Sequence, residues 1–347
     1  MSFSFKELKN RTRPYFIAEA GVNHEGSITK AKKMIDVAKK AGADAIKFQT
    51  YKASKIASKN SPYYWDIKKE KTRSQYELFS KFDKFNFKEY KILSNYCKKK
   101  KIEFLSTPFD LNAVNFLNPL VNLFKISSSD ITNFPLIEKI ASKKKPVILS
   151  TGASNTSEIK DALRIINKKT KKVVLMHCIL NYPTENKNAN LNMIRFLKEK
   201  FPKCIIGYSD HTLPSKEMTN LVSSYLLGAK VIEKHFTLNK KIKGNDHYHS
   251  VDKRDIVKFL DKINEIHPTL GNYKKNFIKS EIKSRKNARR SLVTTGNFFK
   301  GHKLRLMDLI AKRPASGISP IYLKKVLGRK LKKNLLDDTI LKWKHLY

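Results

Sequence analysis

Two stretches end in residues that can do chemistry. In "KVIEKHFT" (230–237) an apolar pair, Val231 and Ile232, gives way to Glu233, Lys234 and His235. In "IIGYSDHT" (205–212) Ile205 and Ile206 give way to Ser209, Asp210 and His211. Two imidazoles at neighbouring strand ends can hold one divalent ion and leave positions open for water and substrate. A histidine taken alone is as well explained by a hydrogen-bonded core or surface position. Lys47 and Lys125 lie inside otherwise apolar runs, "AIKFQ" and "LFKIS". A buried, unpaired ammonium is costly, so each of them requires an anion. The hydroxyls of Thr107, Ser128, Ser150 and Ser209 fall at comparable places. Lysines and hydroxyls next to helix N-termini make a cradle for phosphate and carboxylate, although each hydroxyl singly could be a helix cap. Glu19, Asp130, Asp210, Glu233 and Asp246 supply acids for proton transfer or for binding sugar hydroxyls. Pairing with lysine is the alternative, and it is the preferred reading for Glu233. His247 and His249 in "GNDHYHS" are either a second ligand pair or part of a substrate-contacting loop.

The elements that would position these groups recur in one order. Eight short runs rich in β-branched and aromatic residues, 15–19, 45–49, 103–107, 123–127, 146–151, 173–178, 204–209 and 230–235, read as strands. Amphipathic stretches separate them. In 29–41 Ala31, Met34, Ile35 and Ala38 share a face and Gly42 follows as a stop. Similar patterns occupy roughly 87–100, 134–143, 157–166, 190–200, 215–227 and 252–266, with a weaker one at 111–118. Strand–helix units repeated eight times predict an α/β fold, the (β/α)8 TIM barrel, whose chemistry sits at the C-terminal ends of the strands. A doubly wound open sheet competes less well, because no glycine-rich phosphate turn follows the first strand. The strand ends then converge on one mouth: Glu19, Lys47 with Gln49, Thr107, Lys125 with Ser128, Ser150, His177, Ser209 with His211, and Glu233 with His235.

Composition narrows the class. The chain has 347 residues, 40% of them hydrophobic, which suits one large domain and a small one. Cys97, Cys178 and Cys204 have neither metal-ligand nor disulfide spacing, pointing to a reducing cytoplasm. No apolar signal segment opens the sequence and no run is long enough to span a membrane. The formal charge of +42 invites a nucleic-acid reading. The lysines, however, are scattered over every predicted helix and tail, without an aromatic-interleaved stripe or a recognition-helix motif, so no nucleic-acid partner is expected.

The motifs "FIAEAGVNHEGS", "GADAIKFQTY", "FLSTPFD", "FKISSSDITNFPLI", "VILSTGAS", "HCILNYPT", "IGYSDHT" and "IEKHFTL…GNDH", in this order and covering almost the whole chain, resemble the sialic acid synthases. These condense phosphoenolpyruvate (PEP) with an N-acetylhexosamine to give a nonulosonic acid. After residue 285 the pattern changes to short strands, glycine turns and one short helix, and is similar to the antifreeze-like (SAF) domain that ends such synthases. The expected organisation is a barrel at 1–275, a linker at 276–287 and an SAF domain at 288–347. The resemblance implies that Lys47, Thr107, Lys125, Ser128, Ser150 and Ser209 hold PEP. It implies that His211 and His235 ligate a metal, Mn2+ with Mg2+ or Co2+ as alternatives, and that Tyr182 and Asp246 contact the sugar. Glu19 matches the acid near the reacting carbons. The resemblance further implies a homodimer in which Arg313 of the "KRP" motif enters the partner's active site and holds the N-acyl group; without it, Arg313 reads as a surface charge.

Three positions depart from the N-acetylneuraminate-forming pattern: Asp130 stands for a glutamate, Leu180 for a polar residue, and "GND" for "GPD". The first two fall in active-site loops and leave the acceptor open. The implied reaction adds carbon 3 of PEP to the open-chain sugar's aldehyde, adds water at carbon 2 with Glu19 or Asp130 orienting it, and releases phosphate by C–O cleavage. The catalytic set is therefore Glu19, Asp130, His211 and His235. Rival expectations are a synthase for a legionaminic-, pseudaminic- or octulosonic-type sugar, and a non-catalytic basic binding protein.

Overall fold

A computed structural model describes residues 3–244 and 246–347. The chain divides into two compact units, Met1–Leu270 and Gly271–Tyr347. In the first, eight parallel strands β1 (Tyr15–Gly21), β2 (Ala45–Thr50), β3 (Glu103–Pro108), β4 (Phe124–Ile126), β5 (Val147–Ser150), β6 (Val173–Cys178), β7 (Ile205–Asp210) and β8 (Val231–His235) run in the order β3-β2-β1-β8-β7-β6-β5-β4. β3 and β4 pack side by side at the remaining seam, so the sheet is a nearly closed barrel. Every strand lies within a residue or two of the stretch the sequence marked for it. The helices between them form the outer ring.

Strand parity decides what each residue faces, because successive side chains point to opposite faces. Tyr15, Ile17, Ala45, Leu105, Leu123, Ile148, Val174, Met176, Ile205 and Val231 fill the barrel interior, and Leu8 from an N-terminal helix (Phe5–Asn10) joins them. Their neighbours Phe16, Ile46, Phe104, Phe124, Leu149, Leu175, Ile206 and Ile232 pack outward among the helices. Continuing the inward parity past the apolar floor gives Glu19, Lys47, Thr107, Lys125, Ser150, Ser209 and Glu233.

The same parity corrects one expectation. His177 is an outward residue of β6; its Nε2 lies 2.8 Å from the Ala189 carbonyl and its ring stacks on Tyr208. Asp210 is also outward, paired with Lys234 at 2.8 Å, both almost fully buried. Neither reaches the mouth. The segment between β2 and the helix Phe87–Lys100 carries two helices, Ala53–Ile56 and Gln75–Phe82, that the periodicity did not reveal.

The second unit has its own small core, including Leu292, Leu304, Ile318, Val326, Leu331 and Leu341. An antiparallel pair, β9 (Ser291–Thr294) and β10 (Leu309–Lys312), and a short helix, Leu323–Val326, surround it. A long connection, residues 295–308, ending in a short 3-10 helix at Leu306–Asp308, joins the two strands. No helix among the described residues is long and apolar enough to cross a membrane.

Candidate active site

The inward polar residues form one buried cluster. Lys47 Nζ lies 2.7 Å from Glu19 Oε2 and 3.7 Å from Glu233 Oε1, and donates to Thr107 Oγ1 at 3.1 Å. Lys125 Nζ is 3.5 Å from Glu233 Oε1, and Ser209 Oγ donates to that same oxygen at 3.1 Å. Backbone register sets this up: Glu19 is paired with Lys47 on one side and His235 on the other, and Ser209 with Glu233. Gln49 Nε2 donates to Glu19 Oε1 at 3.1 Å.

Charge is balanced tightly. Burial would raise the Glu233 carboxyl, but Lys125 and Lys47 outweigh it and hold the group at about 2. Burial disfavours the Lys47 ammonium, yet Glu19 and Glu233 keep it above the ordinary lysine value. Burial pushes Glu19 up, and Lys47 only partly offsets this. The two ends of the Glu19–Lys47 pair thus move the same way. Lys47 faces two carboxylates and stays charged; Glu19 shares its lysine and is the carboxyl that takes a proton more readily. Burial draws Lys125 down against the pull of Glu233.

Two hydroxyls are ready for a ligand in different ways. Ser128 Oγ accepts from the Gly152 N–H at 2.9 Å, an approach that needs glycine, since a Cβ at 152 would sit 2.9 Å from that oxygen. Ser150 Oγ is buried and has no partner among the described residues. An orphaned donor beside two ammonium groups is what an anion cradle would show in the unliganded protein.

The histidines complete the cluster. His211 Nδ1 donates to the Ile179 carbonyl at 2.7 Å, which sets the ring's orientation and, in the neutral ring, the tautomer that presents Nε2 as a ligand atom. The ring lies 5.4 Å from that of His235 and 4.2 Å from that of Tyr182. His235 Nδ1 is turned to Asp246 Oδ2 at 3.3 Å. Burial would lower His235, but Asp246, with Glu19 behind it, raises it. A tautomer-fixed imidazole next to a second one with a carboxylate partner is the usual dress of a metal-binding histidine pair. The donors present therefore fit a divalent ion.

Glu19, Lys47, Thr107, Lys125, Ser128, Ser150, Ser209, His211 and His235 all line one cavity. Tyr182 and His235 also line a larger neighbour of about 310 Å3, together with Asp130 and Asp246. Asp130 Oδ1 accepts from Asn133 at 3.0 Å, Oδ2 has no partner among the described residues, and burial pushes its carboxyl up. Sequence reasoning missed the rest of the larger cavity's wall. Ile56, Tyr64, Trp65, Leu78, Phe79 and Phe82 come from the segment after β2, whose period is irregular and carries no motif. Among the described residues, neither lysine nor arginine lines this cavity. Leu180 does line it, which gives the apolar departure noted in the sequence a place. Asn245 of "GND" lies outside the described residues. Arg313 is exposed in the second unit, at the end of β10.

The NeuB family profile matches residues 34–275 and the SAF domain profile residues 289–346. The chain is 39% identical over 333 residues to N,N'-diacetyllegionaminic acid synthase of Campylobacter jejuni, covering 94% of this chain and 98% of that one. It is 36% identical over 340 residues to the Legionella pneumophila protein of the same name, covering 96% and 94%. Among solved structures, N-acetylneuraminic acid (sialic acid) synthetase of Leptospira borgpetersenii in complex with citrate superposes with a TM-score of 0.70 at 35% identity, covering 78% of this chain and 90% of that one. With these matches over most of its length, the chain belongs to the NeuB family, with an SAF domain at its C-terminus.

Proposed function

We propose that this protein condenses PEP with an open-chain, unphosphorylated N-acetylated hexose carrying two N-acetyl groups, giving a legionaminic-type nonulosonic acid and phosphate. The observation that carries the acceptor's identity is the larger cavity. Its walls are largely aromatic and aliphatic, it has three carboxylates (Glu70, Asp130 and Asp246), and among the described residues no lysine or arginine lines it to meet a phosphate. Acyl methyls and a deoxy carbon gain from such walls, whereas a sugar phosphate would bring its charge to carboxylates.

In this reading Lys47, Thr107, Lys125, Ser128, Ser150 and Ser209 hold the phosphate and carboxylate of PEP, while Tyr182 and Asp246 face the sugar. His211 and His235 would hold the divalent ion, Mn2+ or a relative, which when bound supplies Lewis-acid polarisation of the sugar's aldehyde. Carbon 3 of PEP bonds to the aldehyde carbon as the enol double bond is spent and the carbonyl π pair goes to the aldehyde oxygen, which finally takes the proton that the carboxylate removes from water; positive charge is left at carbon 2. Water, oriented by Glu19 or Asp130, which takes its proton, adds there. The bond between carbon 2 and the bridging oxygen then breaks, the ketone forms, and phosphate departs into the cradle. The lysines are fixed in place before the reaction and stabilise the leaving charge without reorganising. Arg313 would act from the partner's SAF domain in a homodimer, on the N-acyl group. The three free thiols fit a reducing cytoplasm.

Phosphate release from PEP with Mn2+ tests the reading across N-acetylmannosamine, its 6-phosphate and a 2,4-di-N-acetylated 6-deoxyhexose. The diacetylated sugar should exceed the phosphorylated one by roughly a hundredfold in kcat/KM, since several unfavourable contacts separate them. Preference for the 6-phosphate, or no release with any acceptor, would overturn it.

A further inference from the structure

His249 is fully buried, and neither of its ring nitrogens has a hydrogen-bond partner among the described residues. Such a group is costly to bury empty-handed, because it has surrendered water without replacement. Its surroundings are not apolar. Nε2 lies 3.7 Å from Asp246 Oδ1, and its ring centroid is 4.8 Å from that of His235. Asp246 in turn offers Oδ2 to His235 Nδ1 at 3.3 Å, beyond a good hydrogen bond for a pair this enclosed. One ligand atom from each of His235, Asp246 and His249 can be chosen so that all lie within 4.8 Å of one another. Tetrahedral ligands bonded to one ion at about 2.1 Å sit about 3.4 Å apart, so side-chain rotation has to close the widest of these separations by up to about 1.4 Å.

We infer that His235, Asp246 and His249 form a divalent-cation site of their own, built by the loop after β8 and not requiring His211. Two imidazoles and one carboxylate suit Zn2+ or Co2+ better than Mg2+. The site takes up the unpaired nitrogen of His249, satisfies Asp246 on its free oxygen and uses Nδ1 of His235. A neutral imidazole coordinates through one nitrogen only, so this position and the His211–His235 pair are alternative homes for one ion. It also engages the carboxylate that faces the larger cavity, which makes metal choice and acceptor binding interdependent.

Metal binding measured directly, by equilibrium dialysis with Zn2+ on the full chain, separates the two positions. The variant H211A should still bind one Zn2+ per chain, and H211A combined with H249Q should bind it at least about tenfold more weakly, the loss of one ligand's support. Should the double variant fold poorly, as judged by circular dichroism, the single variant loaded with Cu2+ answers alone: electron-spin-echo spectra should count two coordinated imidazoles. Loss of metal by H211A, equal affinity in the single and double variants, or one imidazole in the echo spectrum would each overturn the inference. None of these readouts depends on which sugar the protein uses, so the site and the proposed reaction fail separately.

Discussion

Ser150 and Ser209 look alike in the sequence, and the structure separates them. Ser209 is spent on Glu233, while Ser150 holds a buried hydroxyl with no partner among the described residues. Removing Ser150 Oγ should therefore cost the unliganded protein little, because no internal bond is lost. If that hydroxyl belongs to the PEP cradle, its loss removes a hydrogen bond to a charged ligand, worth about 1.5–3 kcal/mol, or roughly 10- to 150-fold in binding. Ser150→Ala should thus raise KM for PEP by one to two orders of magnitude with the melting temperature within about a degree of the parent. Steady-state kinetics beside a thermal melt checks both halves. An unchanged KM would place the hydroxyl outside the cradle. The cost asymmetry also explains why hydroxyl spacing alone could not rank these serines: capping, cradle and internal pairing use the same side chain.

Strands decide which ionisable residues share the mouth, and the β7–β8 pair shows it most clearly. Ser209 and His211 point in and Asp210 points out; Glu233 and His235 point in and Lys234 points out. The outward Asp210–Lys234 pair is sealed between strands and helices, with Asp210 also accepting from Tyr208 and Thr212. Burial lowers Lys234, so the lysine end bears desolvation while the carboxylate end gains: against burial, Lys234 and the Thr212 bonds hold Asp210 below its ordinary value. A carboxyl depressed in the folded state adds stability above its unfolded pKa near 4, and loses it as pH falls further. Asp210→Asn leaves a buried ammonium uncompensated and should cost roughly 3–5 kcal/mol at neutral pH. The variant's deficit should shrink as pH falls below about 4, where Asp210 of the unfolded parent takes a proton that the folded, lysine-paired carboxylate still resists. Urea denaturation at the two pH values measures it, and an equal deficit at both would refute the linkage. All eight strands were legible because apolar β-branched runs are short and bounded. The mouth was legible in type, as lysines and histidines at run ends. Parity errors such as His177 arise because a fully buried strand carries no alternation to mark its inner face. The wall after β2 was not legible at all, since Tyr64, Trp65 and Phe79 gain their meaning only from folding back over the cavity.

At the scale of the whole molecule, the barrel's chemistry and the SAF domain's arginine are far apart in sequence and lie in separately packed units. Arg313 is exposed. An arginine with a planar, always-charged fork is suited to an acyl carbonyl, but its chain of origin decides the biology. A mixing experiment settles that question without coordinates of a dimer. On the proposed reading, in a homodimer, Arg313→Ala and His235→Ala should each be nearly inactive alone, the first without the proposed acyl contact and the second without the proposed metal ligand. When the two are dissociated and reassociated, a mixed dimer pairs an intact barrel from the first variant with an intact Arg313 from the second. If the arginine serves the partner's site, one site in each mixed dimer is whole; since half of randomly paired dimers are mixed, about a quarter of parental activity should return. If it serves its own chain, every site in every dimer carries a lesion and no activity returns. Analytical ultracentrifugation before and after mixing confirms that exchange took place, so an absence of recovery in exchanged dimers would remove the partner arginine from the mechanism and leave the barrel to bind the N-acyl group unaided.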